Sequence, residues 1–368
     1  MTASRPAGPP PRSFGIEEEV VLLDPATLDP VDVAGEVIAE VCAADPAARV
    51  DHEFLQAQLE FASPVLEEAG AAERAVRGFR RAVGAAAERR GLVAASIGTP
   101  VGARVSALTP DERYTRFDAL LGGARPDHRI QGLHVHVAVD SRDEGVAVLR
   151  ALRPWLAPLL AVSANSPCFG AHDTGFASWR TMVGRRFTTA SVPPDFADAA
   201  DYDRRVAAIV GLGATIDQHS LFWMARLSET YPTVEVRVFD AQLSADDTVA
   251  LALLTRALVA AAAAGELSHA PGAAHQELLD AAVWHAARHG AGADLVDPTT
   301  ASVVPAWDAI ERMLEVASGA LEAAGDRARV ASFVERVRAS GTGADRQRAA
   351  FERGLPALAG LLRDSFTA

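Results

Sequence analysis

The sequence predicts a single α+β domain, in which helices pack on one face of a sheet whose other, polar face lines a cleft. Three observations carry this. Several separate segments alternate polar and apolar residues with period two, the stretches between them have helical periodicity without a regular strand–helix repeat, and beyond about residue 244 the pattern is helical throughout. No internal repeat or shift in composition marks a linker.

FGIEEEVVLL, residues 14–23, is a strand with Glu17, Glu19 and Val21 on one face and Ile16, Glu18, Val20 and Leu22 on the other, ended by Asp24-Pro25. A short helix is expected over about 33–43, then a second strand in HEFLQAQLEFAS with Gln56, Gln58 and Glu60 opposite Leu55, Leu59 and Phe61. A long Ala- and Arg-rich helix covers about 67–90 with Val76, Phe79 and Val83 as its buried stripe, stopped by Gly91. LVAASIGT resembles a third strand, and a helix with Tyr114 and Phe117 precedes the strand QGLHVHVAVD, which sets His134 and His136 on one face. Ser141 and Glu144 form a capping box for the next helix, and Asp201 is placed to cap a helix over about 202–213. Residues 165–175 are loop chemistry leading into the helix-like ASWRTMVGRR. LFWMARLSE and TVEVRVFDA read as two strands, the second with Thr233, Glu235 and Arg237 on one face.

Composition narrows the function. With 35 basic and 48 acidic residues the formal charge is −13, which disfavours a nucleic-acid partner. All the basic residues are arginine. Absence of lysine removes Schiff-base chemistry, the P-loop lysine and a lysine nucleophile, so any phosphate must be held by arginine, backbone amides or metal. Two distant cysteines, Cys42 and Cys168, argue against a disulfide framework or a cysteine-rich metal site and fit a reducing cytoplasm. The proline-rich start does not resemble a signal peptide, and no membrane association is expected. Residues 1–13 are expected to be a disordered tail and 14–368 one domain, sheet-rich over 14–244 and helical over 245–368.

Four strands present ionisable groups at spacing two: Glu17 and Glu19, Gln58 and Glu60, His134 and His136, Glu235 and Arg237. Carboxylates buried without partners cost several kcal/mol, roughly. The arrangement that avoids this gathers them around a divalent cation in one cleft. A set dominated by hard oxygen donors favours magnesium or manganese over zinc, and magnesium keeps phosphate oxygens in its shell, so a nucleotide is the expected companion.

The segments F-G-I-E-E-E-V, G-L-H-V-H-V, N-S-P-C-F-G-A-H-D-T-G-F-A-S-W-R and T-V-E-V-R-V-F-D resemble the motifs of the second glutamate–cysteine ligase family, the carboxylate-amine ligases, over about residues 13–260. The resemblance implies a glutamine synthetase-like fold: a curved antiparallel sheet forming an active-site funnel, helices on its outer side and a helical C-terminal part. It also implies ATP with two or three magnesium ions, amino acid or carboxylate and amine substrates, and a homodimer. Carried over by position, Glu17, Glu19, Glu60, His134 and Glu235 would be metal-site residues, and Arg180 and Arg237 would face the phosphoryl group and the substrate carboxylate. His136 is read as a metal ligand or a phosphate contact. Asn165, Ser166, Asp173, Thr174 and Ser178 lie in a matching segment and would bind substrate, although Asn-Ser-Pro is equally ordinary turn chemistry.

The implied reaction moves the γ-phosphoryl of ATP onto a carboxylate, and an amine then displaces phosphate to give an amide. The default pair is L-glutamate and L-cysteine, giving γ-glutamylcysteine; a ligase joining a different acid and amine is the alternative. Two other classes compete: a metal-dependent hydrolase, because H-x-H on a strand also opens amidohydrolase metal sites, and a nucleotide-binding relative without turnover.

Overall fold

The computed structural model describes residues 11–368. Of the expected tail, residues 1–10 lie outside the described residues. Arg12 is held, forking onto Glu144 at 2.8 and 2.9 Å and donating to the Ala138 carbonyl.

The main sheet has seven strands: β1 (Phe14–Leu23), β2 (Val50–His52), β3 (Gln58–Ala62), β4 (Val93–Ala95), β5 (Gly132–Ala138), β8 (Ala225–Leu227) and β9 (Thr233–Asp240), with a small hairpin of β6 (Cys168–Phe169) and β7 (His172–Asp173) apart from it. Every pairing is antiparallel, in the order β2-β3-β1-β5-β9-β8, and β4 joins β1 over Val21–Leu23 where β5 leaves off. Alternation puts Ile16, Val20, Leu22, Leu59, Leu133, Val135 and Val137 into one hydrophobic core. The opposite face receives the ionisable residues.

Helices cover the apolar face in two layers. The strands pack on α1 (Ala34–Ala44), α2 (Ala69–Arg89), α4 (Arg142–Leu152), α5 (Leu156–Ser163) and α8 (Ala245–Ala263). Almost every residue of α8 is buried, as an apolar Ala/Leu helix running behind β1 and β5 must be. Outside it lie α10 (Ala306–Ala324) and α11 (Arg327–Ser340), while α9 (Gln276–His289) packs on α5, and α12 (Gly343–Phe351) and α13 (Leu355–Thr367) close the side near β4 and α2. The expected stripe of α2 is buried, with Phe79 stacked on Phe61 at 4.5 Å between centroids. Residues 142–163 are long and apolar enough to cross a membrane, but 83% of that window is buried inside the protein, as in a core helix.

Several elements differ from expectation. The second strand is broken: β2 and β3 are joined by a turn over 53–57, which removes Gln56 from the polar face. Its Leu55 amide is satisfied by the Gln58 side chain, not by a ladder. The remaining helices are α3 (Glu112–Leu121), α6 (Trp179–Gly184) and α7 (Ala199–Gly211), and α7 is capped by Asp198, whose side chain accepts from the Asp201 amide. Ser141 caps α4, but Glu144 turns to Arg12 and the Asp140 amide, so the box is half formed. The last third also contains a two-stranded hairpin, β10 (Asp294–Val296) with β11 (Val303–Pro305).

Candidate active site

Register assembles the site. On β1, Glu17 stands opposite His134 of β5 and Glu19 opposite Glu60 of β3; further along, His136 pairs with Glu235 of β9, and Glu235 with Arg226 of β8. The Glu17 carboxylate lies 3.3 Å from His134 Nδ1 and 3.2 Å from His136 Nε2, and Glu19 lies 3.8 Å from His134 Nε2. All five residues expected at a metal, Glu17, Glu19, Glu60, His134 and Glu235, are brought together here. Their donor atoms form three groups within 4.8 Å: Glu17, Glu60 and His134; Glu17, His136 and Glu235; Glu19, Glu53 and Glu60. His136 joins the second group as a potential donor. Glu53 is not apparent from the sequence, because it sits in the turn of the β2–β3 hairpin, where no alternation marks its direction.

The electrostatics show what this cluster needs. Burial, with the charge of Glu53, pushes the Glu19 carboxyl up to about 8; burial also raises Glu53, and burial with the neighbouring Glu53, Glu17 and Glu19 raises Glu60 well above the carboxylate range. Burial opposes Glu17 too, but hydrogen bonds from His134 and His136 outweigh it and hold Glu17 low. Burial and Arg237 bring His134 down to about 4, leaving a neutral imidazole with a lone pair to give. Oxygen donors that repel one another, with one neutral imidazole among them, fit a hard divalent cation such as magnesium or manganese.

Arginines ring the same cleft. Glu235 is buried and held far below its ordinary value, Arg237 and Arg226 overcoming the cost of burial. Arg226 Nε donates to it at 2.7 Å, and Arg237 donates to it from the other side, its guanidinium lying beside the His134 ring. Arg180 donates to the Arg237 carbonyl at 3.2 Å. Between the pairs Val135–Val236 and Leu133–Phe239, β5 advances two residues and β9 three, so β9 carries one extra residue opposite His134. Such a bulge turns the residues beyond it to the other face. Val238, expected on the apolar face, lines the cleft, and Asp240 comes opposite Gly132.

The five residues expected to bind substrate do not line the cleft. Asn165, Ser166 and Ser178 are fully buried and spent on internal bonds: the Asn165 amide nitrogen and both serine hydroxyls donate to Asp240, and the Asn165 side chain donates to the Ser96 and Ala241 carbonyls. Thr174 closes a turn onto the Pro167 carbonyl. Asp173 is exposed and paired with Arg348. Polar loop residues look alike in sequence whether they face a ligand or brace the backbone behind it.

The cleft holds about 470 Å³. One wall is acidic and the other aromatic, made by Phe54, Tyr114, Phe117 and Phe222, whose rings contact one another at 5.3–5.8 Å.

An antiparallel sheet backed by helices, with carboxylates, imidazoles and arginines converging in its funnel, is the architecture of a carboxylate-amine ligase of the glutamate–cysteine ligase type. The fold is shared with a glutamate–cysteine ligase from Francisella tularensis solved with AMP, at TM-score 0.69 and 11% identity over 98% of this chain and 90% of that one. The chain belongs to glutamate–cysteine ligase family 2, whose model matches residues 13–358. It is 40% identical over 356 residues to "Putative glutamate–cysteine ligase 2-2" of Frankia alni, covering 93% of each chain. A Salinispora arenicola protein named "Putative glutamate–cysteine ligase 2" is 39% identical over 93% of this chain and 90% of its own. The hydrolase alternative falls with this membership, and the sheet has none of the parallel strand–helix units that alternative expects.

Proposed function

We propose that the protein uses ATP to join a carboxylic acid to an amine through an acyl phosphate, with L-glutamate and L-cysteine as the default pair giving γ-glutamylcysteine. The observation that carries it is the placement of an acidic donor cluster and two arginines, Arg180 and Arg237, in one cleft. The AMP bound in the Francisella neighbour supports a nucleotide here.

Bound magnesium would neutralise phosphate charge and leave the γ-phosphorus open to attack. Glu17, Glu19, Glu53, Glu60, Glu235 and His134 would hold it. Arg180 and Arg237 orient two anions that repel each other, the triphosphate and the substrate carboxylate, and their charge is fixed at all working pH values. In the first step a carboxylate oxygen bonds to the γ-phosphorus and the bond to ADP breaks. In the second the amine nitrogen bonds to the acyl carbon, inorganic phosphate leaves and the amine gives up a proton. The aromatic wall screens the acyl phosphate from water.

That wall favours a second reading of the acceptor: Phe54, Phe117 and Phe222 suit an amine with an apolar side chain better than a small thiol. The test is an ADP-release screen across amino acids and amines with magnesium, repeated on Glu60→Gln and Arg237→Ala. The reading expects substrate-dependent ADP release, lost in both variants. ADP release without an acid, or wild-type rates in either variant, would overturn it. The homodimer and the cytoplasmic setting belong to the same proposal, and sedimentation velocity checks the first.

A further inference from the structure

Among the cleft arginines, Arg180 is the uncommitted one. Arg237 and Arg226 bond Glu235, and Arg113 bonds Asp217. Among the described residues no ion pair joins Arg180 to a carboxylate; its Nη2 donates to a carbonyl, and its Nε is shut from solvent without a partner. A guanidinium left free in a buried cleft is costly unless something fixes it and balances its charge. The group that fixes it lies behind the cleft. The Asp240 side chain, wholly buried, accepts from the Asn165 amide at 2.8 Å, the Ser166 hydroxyl at 2.7 Å and the Ser178 hydroxyl at 2.8 Å. Ser166 Oγ in turn accepts from the Arg180 amide at 3.1 Å, and Ser178 is the N-cap of α6, the helix that carries Arg180. Both partners therefore grip the first turn of α6 from the same carboxylate.

The packing allows no slack. A Cβ at Gly98 would stand 2.7 Å from Asp240 Cγ and 2.8 Å from Ser166 Cβ. Among the described residues, Asp240 belongs to none of the acidic donor groups and does not line the cleft. We infer that Asp240 is a positioning residue for Arg180: through Ser166 and Ser178 it aims α6 so that the guanidinium meets the substrate anion, and its negative charge keeps that guanidinium from needing a carboxylate partner in the cleft. The inference rests on the proposed ligase reading only for the identity of that anion.

The test is a double-mutant cycle on Asp240→Asn and Arg180→Ala, read by equilibrium binding of magnesium with a non-hydrolysable ATP analogue, and by KM for the acid against kcat where turnover is found. Asp240→Asn leaves three donors facing one acceptor oxygen and an amide. It is expected to weaken anion binding, or raise KM for the acid, about 10- to 100-fold, the range that outer supporting partners command. It should have no further effect in the Arg180→Ala background. Ser166→Ala, which leaves the carboxylate in place, should give a smaller loss of the same kind. Equal losses from Asp240→Asn with and without Arg180 would overturn the inference, as would unchanged binding in a folded Asp240→Asn protein. If wild type binds the analogue but turns over no acid, the ligase reading fails and the cycle still decides the role of Asp240.

Discussion

Glu18 and Arg80 form an ion pair closed off from solvent on the outer face of β1, directly behind the acidic cluster. Arg80 Nε donates to Glu18 at 2.9 Å, and its other nitrogens reach the Leu243 and Gln242 carbonyls and Thr248 Oγ1 at the entry to α8. Phe366 of α13 lies over the guanidinium at 5.1 Å. The pair thus joins β1, α2, α8 and α13 at one point.

Breaking that pair should cost more than any change in the cleft. Arg80→Met leaves Glu18 uncompensated and is expected to destabilise by about 3–5 kcal/mol, measured by urea unfolding. A double replacement, Glu18→Leu with Arg80→Met, should recover much of it. A loss below about 1 kcal/mol in the single variant would show that the pair is not what secures the strand.

In the cleft, function and stability should oppose each other. Glu60 is raised by burial and by Glu53, Glu17 and Glu19, so Glu60→Gln removes a repelling group. With chelator present the variant is expected to be more stable than wild type by about 1 kcal/mol, while losing the stabilisation that magnesium gives wild type. Thermal unfolding with EDTA and with magnesium separates the two effects.

A pH dependence arises from Glu19, whose pKa stands near 8 in the folded protein against 4.5 for an ordinary glutamate. Between those values the folded state holds a proton that the unfolded chain has released, so without cation this group's contribution to stability is full at low pH and is lost as pH rises through about 8. A cation needs the ionised form and displaces that proton. Proton release on magnesium or manganese binding should therefore be measurable by calorimetry in two buffers near neutral pH, and the cation-induced rise in Tm should grow between pH of about 6 and 8. A flat response would place Glu19 outside the cation site.

Gly132→Ala should damage activity far more than stability. Its new Cβ would meet Arg180 Nη2 at 2.6 Å and His134 Nε2 at 2.9 Å, both side-chain ends that can move aside. The expected result is a loss in kcat/KM of at least about tenfold, roughly 1.4 kcal/mol, with Tm nearly unchanged. A large fall in Tm would mean that these side chains cannot yield.

Sequence made legible whatever obeys a simple period. Glu17, Glu19, His134 and Glu235 declare their face because their strands run without interruption, and the buried stripe of α2 shows in the spacing of Val76, Phe79 and Val83. Glu53 stayed hidden because a turn reverses its direction, and Asp240 because one extra residue in β9 inverts the count. Asn165, Ser166 and Ser178 are expected at the substrate because their segment matches, and the structure spends them on Asp240 and on backbone carbonyls. Their type reports that a hydrogen bond is needed, not whether a ligand or a backbone supplies it. Alternation sets Glu18 on the core side, but its partner lies 62 residues away on a helix whose apolar stripe gives no sign that Arg80 points inward.

The bulge in β9 sets a rule for how this chain can change over evolutionary time. Insertions and deletions ordinarily collect in surface connections and spare the ladder. Here, dropping one residue between Val236 and Phe239 would leave a more regular strand with Asp240 still opposite Gly132, but with one side chain instead of two opposite His134, so that either Arg237 or Val238 would be lost from the cleft. Sister proteins are therefore expected to vary freely in the lengths of their loops while keeping the count from Glu235 to Asp240 unchanged.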